Sequence, residues 1–252
     1  MFYMTQLGDV VYIICYESSS IVRFNATTHQ RLTDIEVKDL KWPLDIAACE
    51  QTSQLYIPDH GSECIWRVSA DGADIKRWWS KSSSDRFKPS TLSTTSTRLL
   101  LTSPSNSQLM QLDARCNELR RVQLPDDMCP WHAVESPTGK FIVSHWNPRL
   151  KQYQVSEVQT DGKALRQFSG SCLQTLGWTP HVAVDSRGNI IVANYHHRNV
   201  LLLGAQLKLR RVIIDEDQLN GKKPRRLCYR EQSGQLLVGR ESGVAVFDVL
   251  HR

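Results

Sequence analysis

Cationic and flat-ringed side chains cluster through the second half of this 252-residue sequence: Trp131-His132, Trp146-Asn147 with Arg149, Tyr195-His196-His197-Arg198, Lys222-Lys223-Pro224-Arg225-Arg226, and Arg240. Guanidinium and ammonium groups neutralise phosphates, and flat rings stack on unpaired bases, so the mixture has the chemistry of RNA recognition. Each group also has a plainer role. The tryptophans can pack between sheets. His196 to Asn199 fits a solvated polar turn, and the Lys222 to Arg226 run fits a solvated loop or a nuclear import signal.

The charge is polarised. Residues 1–126 carry 14 Lys and Arg against 15 Asp and Glu, whereas residues 127–252 carry 17 against 11. The net charge of +5 therefore belongs to the second half. Such asymmetry concerns partners rather than fold.

Signatures of catalysis are sparse. The sequence has no Gly-x-Ser-x-Gly elbow, phosphate loop or His-Glu-x-x-His. Asp45, His132, His145, His181 and Asn194 could face one opening, but they include too few carboxylates for an oxygen-rich calcium site. Two or three of the histidines could meet at a transition metal. Their equivalent positions within the blades, however, are expected to differ. The sequence thus predicts no metal, no cofactor and no catalysis within these residues. The seven cysteines are odd in number and never form a Cys-x-x-Cys pair, which points to reduced thiols rather than a disulfide framework or a zinc site. No apolar stretch approaches the length of a membrane span. A cytoplasmic protein without membrane attachment is expected.

The elements that must position these groups come from a repeat. The phrase from Pro180 to Val200 returns in diluted form at Pro43, Pro89, Pro130 and Pro224, and Val11 to Tyr16 aligns with its Ile190 to Tyr195 portion. The period is about 45 residues, as expected for the blades of a propeller. Within each copy, short runs rich in Val, Ile, Leu and aromatics alternate with Gly, Ser, Asn or Asp clusters, the pattern of strands and turns. The fold class predicted is all-β: a six-bladed β-propeller of four-stranded antiparallel blades, with the sixth three-stranded because the sequence stops at Arg252. The blades should span about 1–41, 42–87, 88–128, 129–178, 179–222 and 223–252, and form a single domain. Because Met1 already aligns with an inner strand, the notion of a domain from a longer chain follows as an expectation.

The blade-five phrase Pro-x-x-Ala-Val-Asp-x-x-Gly-Asn-Ile-x-Val-Ala-Asn, followed by Asn199-Val200, resembles the NHL repeat, and blades two and four echo it. Blade three keeps Pro89 and Leu99-Leu100-Leu101, and blade six has Leu227-Cys228-Tyr229 where the family favours Ala-Val-Asp. In domain plan the chain is similar to the NHL propellers that end tripartite-motif ubiquitin ligases. The resemblance implies a target-selecting domain that recognises RNA or a protein substrate, with ubiquitin transfer and coiled-coil oligomerisation supplied by parts outside it and the domain itself monomeric.

Propeller topology places the segment before each inner strand and the turn between the second and third strands on one face. The expected RNA surface therefore comprises Trp131, His132, Trp146, Asn147, Arg149, Tyr195, His196, His197, Arg198, Lys222, Lys223, Arg225, Arg226 and Arg240. The arginines would contact phosphates, and Trp131, Trp146 and Tyr195 would stack or line the pocket. A protein-binding platform, with the acidic, Trp-bearing blade two holding a peptide, is the competing expectation. A metal-dependent hydrolase or lyase is the third.

Overall fold

The computed structural model describes residues 2–95, 97–168, 180–230, 233–240 and 243–249. The chain is an all-β six-bladed propeller, with five blades of four antiparallel strands and one of three among the described residues. It divides into two compact units, Met1–Arg121 and Val122–Arg252. The blade boundary set at 178 and Cys172 lie outside the described residues.

The first unit holds three sheets. Blade one is β1 (Phe2–Leu7), β2 (Val10–Cys15), β3 (Ser20–Asn25) and β4 (Arg31–Glu36). Blade two is β5 (Ala47–Cys49), β6 (Gln54–Asp59), β7 (Cys64–Ser69) and β8 (Ile75–Ser80). Blade three is β9 (Leu92–Thr94), β10 (Arg98–Ser103), β11 (Gln108–Asp113) and β12 (Glu118–Gln123), the last strand running just past the unit's end. In the second unit, blade four is β13 (Cys129–Glu135), β14 (Phe141–Asn147), β15 (Gln152–Val158) and β16 (Ala164–Phe168). Blade five is β17 (Val182–Val184), β18 (Ile190–Asn194), β19 (Asn199–Leu203) and β20 (Leu209–Ile214). Blade six is β21 (Pro224–Arg230), β22 (Gln235–Arg240) and β23 (Gly243–Asp248).

Second strands such as Leu55 to Ile57, Leu99 to Leu101 and Ile190 to Val192 are apolar without alternation because neighbours cover both faces of the sheet. In the first unit, Tyr12, Ile14, Leu55 and Ile57 join blade one to blade two, and Tyr56, Ile65, Leu99 and Leu101 join blade two to blade three. In the second unit, Val155, Phe168, Val192 and Leu201 join blades four and five, while Ile191, Val200, Leu236 and Val238 join blades five and six.

Turn chemistry explains the repeated phrase. In blade five, Oδ1 of Asp185 accepts the backbone N–H of Arg187 (3.0 Å) and of Asn189 (2.7 Å), and its Oδ2 accepts the Asn189 amide (2.7 Å). The chain then reverses at Gly188, whose φ of +77° is strained for any residue with a Cβ. Before the third strand of five blades one residue takes a left-handed conformation: Glu17, Glu63, Ser107, Lys151 and Arg198, with φ between 47° and 65°. The same backbone turn therefore displays different side chains from blade to blade.

Blade six differs at its edge. Register equates Val246 with Glu157 of blade four and Gln111 of blade three, each one residue beyond the partner of the matched second-strand position. Glu157 and Gln111 are 5% and 4% exposed beneath an outer strand, whereas Val246 is 45% exposed on a strand with no outer neighbour among the described residues. An apolar, unpaired edge is a template for pairing with another chain. Val246→Lys is expected to lower concentration-dependent light scattering of the purified chain; unchanged scattering would locate any self-association elsewhere.

Candidate anion-binding site

Two hydrogen-bonded segments converge in the second unit. The first is the turn Tyr195–Arg198 between β18 and β19, closed by the left-handed Arg198. The second is the approach to β21. There Asp215 and Gln218 cap each other, the Asp215 N–H donating to Gln218 Oε1 (3.0 Å) and the Gln218 N–H to Asp215 Oδ1 (2.9 Å). Asn220 and Gly221 turn the chain at positive φ, and the Lys222 N–H closes onto Leu219 O at 3.0 Å. Pro224 then fixes φ at the strand's start. The register of β21 slips between Pro224 and Arg226, so Arg225 is extruded as a bulge residue.

These segments place two cations on one aromatic ring. Lys223 Nζ lies 4.6 Å from the ring centroid of Tyr195, and the guanidinium carbon of Arg225 lies 5.3 Å from it. One Arg225 Nη2–H also donates to the Tyr195 hydroxyl at 3.3 Å. Tyr195 is 8% exposed, while Lys223 and Arg225 are half-buried. The ring thus carries the cations and is not offered to a base, contrary to the stacking role expected of Tyr195. The exposed His196 meets Tyr195 edge-on at 6.1 Å. Partial desolvation, Lys223 and His197 all lower its pKa, which favours the uncharged flat ring at neutral pH.

The remaining expected residues separate by burial and bonding. Arg198 is ion-paired with Glu216, and Arg240 donates from Nη1 to Leu219 O at 3.2 Å, bracing the approach loop. Lys222 and His197 are exposed beside the cluster. Arg226 is 7% exposed and donates from Nη1 to Arg225 O, so it lies beneath the surface and not on it. In blade four, Trp146 is half-buried against Tyr153 at 4.8 Å, and Trp131 is half-buried at a bulge of β13. Asn147 is buried and its Oδ1 accepts the N–H groups of Arg149 and Leu150, both at 3.0 Å, which makes it a turn former; the Arg149 side chain is exposed.

His132 and His181 occupy equivalent blade positions, contrary to expectation. His132 Nδ1 accepts the Val182 N–H and His181 Nδ1 accepts the Leu227 N–H, each at 3.4 Å, so each ring serves the next blade's inner strand from an equivalent position. Their differing distances from proline arise because β13 carries a bulge between Pro130 and His132 and blade five has none at Pro180. The rings stack at 3.7 Å. Accepting at Nδ1 assigns each neutral ring's proton to Nε2, and either ring would have to give up that arrangement to ligate a metal through Nε2. Burial, His132 and Arg226 hold the His181 pKa well below its ordinary value. His145 is also buried, bonded through Nε2 to Ser156 Oγ at 2.9 Å, and burial pushes its pKa down to about 4.

The first unit contributes a site residue that sequence reasoning missed. Asp59, with no exposed surface, ends β6. Its Oδ1 accepts the N–H groups of Trp42 (2.9 Å) and Gly61 (3.0 Å); Oδ2 accepts the Lys41 N–H (3.2 Å), the Ser62 hydroxyl (2.7 Å) and the Trp66 indole N–H (3.3 Å). Burial alone would raise its pKa, but the Trp42 N–H, Ser62, Lys41 and Trp66 donors outweigh it and hold the carboxyl below its ordinary value. The signal was present: Asp with Gly at i+2 and Ser at i+3 is the chemistry of a side-chain-capped turn.

No family model and no curated protein matches the sequence. Solved structures do. A gluconolactonase of Xanthomonas campestris aligns with a TM-score of 0.73 at 13% identity over 97% of this chain and 84% of that one. A catalytically inactive virginiamycin B lyase of Staphylococcus aureus aligns at 0.69 and 12% over 96% and 78%. The β-propeller domain of Swd1 from Myceliophteria thermophila aligns at 0.65 and 10% over 98% and 82%. At these identities the likeness establishes the fold alone.

Two outcomes follow. Asp59→Asn keeps the acceptor for Trp42 and Gly61 but sets an NH2 group against the Lys41 and Trp66 donors, so urea unfolding should show a loss of about 2 to 4 kcal/mol. For His145, the folded pKa of about 4 lies below the ordinary 6.5. Its contribution is therefore full above pH 6.5 and lost as pH falls towards 4, by about 3 kcal/mol at most. Urea unfolding at pH 7 and pH 4.5 should show a smaller pH-dependent loss for His145→Gln than for the parent chain.

Proposed function

We propose that this chain is a non-catalytic recognition domain that binds single-stranded RNA, with Lys223 and Arg225 as the phosphate contacts and His196 as an adjacent surface for an unpaired base. One observation supports this most: both cations are turned onto the ring of Tyr195, 4.6 and 5.3 Å from its centroid, by a braced loop. A phosphate arriving there meets two charges already ordered, so little side-chain entropy is lost on binding. A neutral imidazole beside a cation pair suits a nucleotide better than an isolated phosphate.

The NHL-like phrase in blade five adds a biological setting by resemblance. The chain would be the target-selecting part of a tripartite-motif type ubiquitin ligase acting in the cytoplasm, with transfer chemistry outside it. Lyase and gluconolactonase activities belong to the two enzymes of similar fold, and the stacked, Nδ1-bonded His132 and His181 favour a structural role here. Among the described residues no helix is long and apolar enough to cross a membrane.

Each single-strand phosphate contact contributes about 0.7 to the slope of log affinity against log salt. The Lys223→Glu/Arg225→Glu double variant is therefore expected to bind labelled single-stranded RNA at least tenfold more weakly near 0.1 M salt, with the slope reduced by about 1.4. Unchanged affinity and slope, with the far-ultraviolet circular dichroism of the parent, would refute the proposal. RNA binding by neither variant nor parent, with capture of a protein by both, would favour the protein platform.

A further inference from the structure

The first unit carries an aromatic that the proposed RNA contacts do not use. Trp42 is 46% exposed, the most exposed aromatic among the large hydrophobics of the described residues. An exposed indole by itself is ordinary; this one is immobilised from four directions. The Asp59 carboxylate holds the backbone N–H groups of Lys41 and Trp42, the Trp42 carbonyl accepts the His60 N–H at 3.0 Å, and the Trp42 and His60 rings stack at 6.3 Å and 26°. Gly61 closes the arrangement from below. A Cβ there would stand 2.8 Å from Lys41 Cβ and 3.4 Å from Trp42 Cδ2, so only glycine lets the turn approach so closely.

We propose that Trp42 is a stacking platform for an unpaired base of RNA, with Lys41 beside it to meet the adjoining phosphate. The inference rests on the RNA reading above and adds to it a contact in the first unit. Three features select a nucleotide as the occupant. The indole is presented with its backbone already fixed, which is how a stacking residue keeps its ordering cost low. Its exposed neighbours Lys41 and His60 offer a cation and a second ring. Two carboxylates of the turn are engaged: Asp59 is buried among its donors, and Glu63 is ion-paired with Lys81 (3.0 Å) and Lys88 (3.2 Å). A cationic peptide would meet the Lys41 ammonium while Asp59 and Glu63 are already engaged, whereas a base with its phosphate complements both ring and ammonium.

Stacking and ion pairing leave different marks on binding, which separates this contact from the one at Lys223 and Arg225. Affinity of fluorescein-labelled, random-sequence single-stranded RNA would be measured by anisotropy across a salt series for the parent chain, Trp42→Ala, Trp42→Phe and Lys223→Glu/Arg225→Glu. Trp42→Ala is expected to weaken binding by about tenfold to a hundredfold at every salt concentration with the salt slope unchanged, and Trp42→Phe to recover most of the loss. Circular dichroism and melting of Trp42→Phe guard against a folding defect. If Trp42→Ala binds as the parent does while the charge-reversed variant fails, the platform is overturned and the RNA reading stands. If the parent chain does not bind the RNA, both are overturned.

Discussion

A blade that is apolar on both faces has no stable existence alone, and this constraint shapes everything else in the molecule. In the first unit, blade two is covered on one side by Tyr12, Ile14 and Ile21 and on the other by Leu99, Leu101 and Met110. In the second, blade five lies between Val155 and Phe168 on one side and Leu227, Leu236 and Val238 on the other. Burying such side chains contributes about 1.5 to 3 kcal/mol each, enough in aggregate to make the strands a fixed frame. The loops are freed from any part in the core, and their residues can be spent on recognition.

What the loops do with that freedom depends on buried polar anchors. Asp59 gathers five donors at the end of β6, and Asn147, at the corresponding end of β14, holds the next two N–H groups of its turn. His132 and His181 use Nδ1 to receive an inner-strand N–H of the following blade. Each anchor converts a flexible connection into a defined one, because an unmet buried carboxylate or N–H would cost more than the bond itself returns. The recognition groups, exposed Trp42 and His60 in one unit and half-buried Lys223 and Arg225 with exposed His196 in the other, are carried on connections ordered in this way.

The repeat was legible because it is written in residues with one job. Proline before the inner strand, Asp-x-x-Gly-Asn at the first turn and a short apolar run in the second strand each reflect a local backbone need, visible without tertiary context. The five full blades and the three-stranded sixth follow from them. The site was only partly legible. Sequence placed Tyr195, His196, Lys223 and Arg225 on one face, but assigned Tyr195 to the ligand, whereas its ring is covered by Lys223 and Arg225. Arg226 reads like its neighbour Arg225, yet a one-residue bulge sends one to the surface and the other 7% exposed beneath it. Bulges also hid the equivalence of His132 and His181. Side-chain direction after a bulge depends on the partner strand's register, which no local pattern records.

The central claim, that the loops around Tyr195 hold RNA, is met most directly by photocrosslinking the chain to single-stranded RNA and mapping the modified peptides by mass spectrometry. The account predicts crosslinks concentrated in the peptides bearing Tyr195 to Arg198 and Lys222 to Arg225. Crosslinks confined to other turns, with those peptides unmodified, would contradict it.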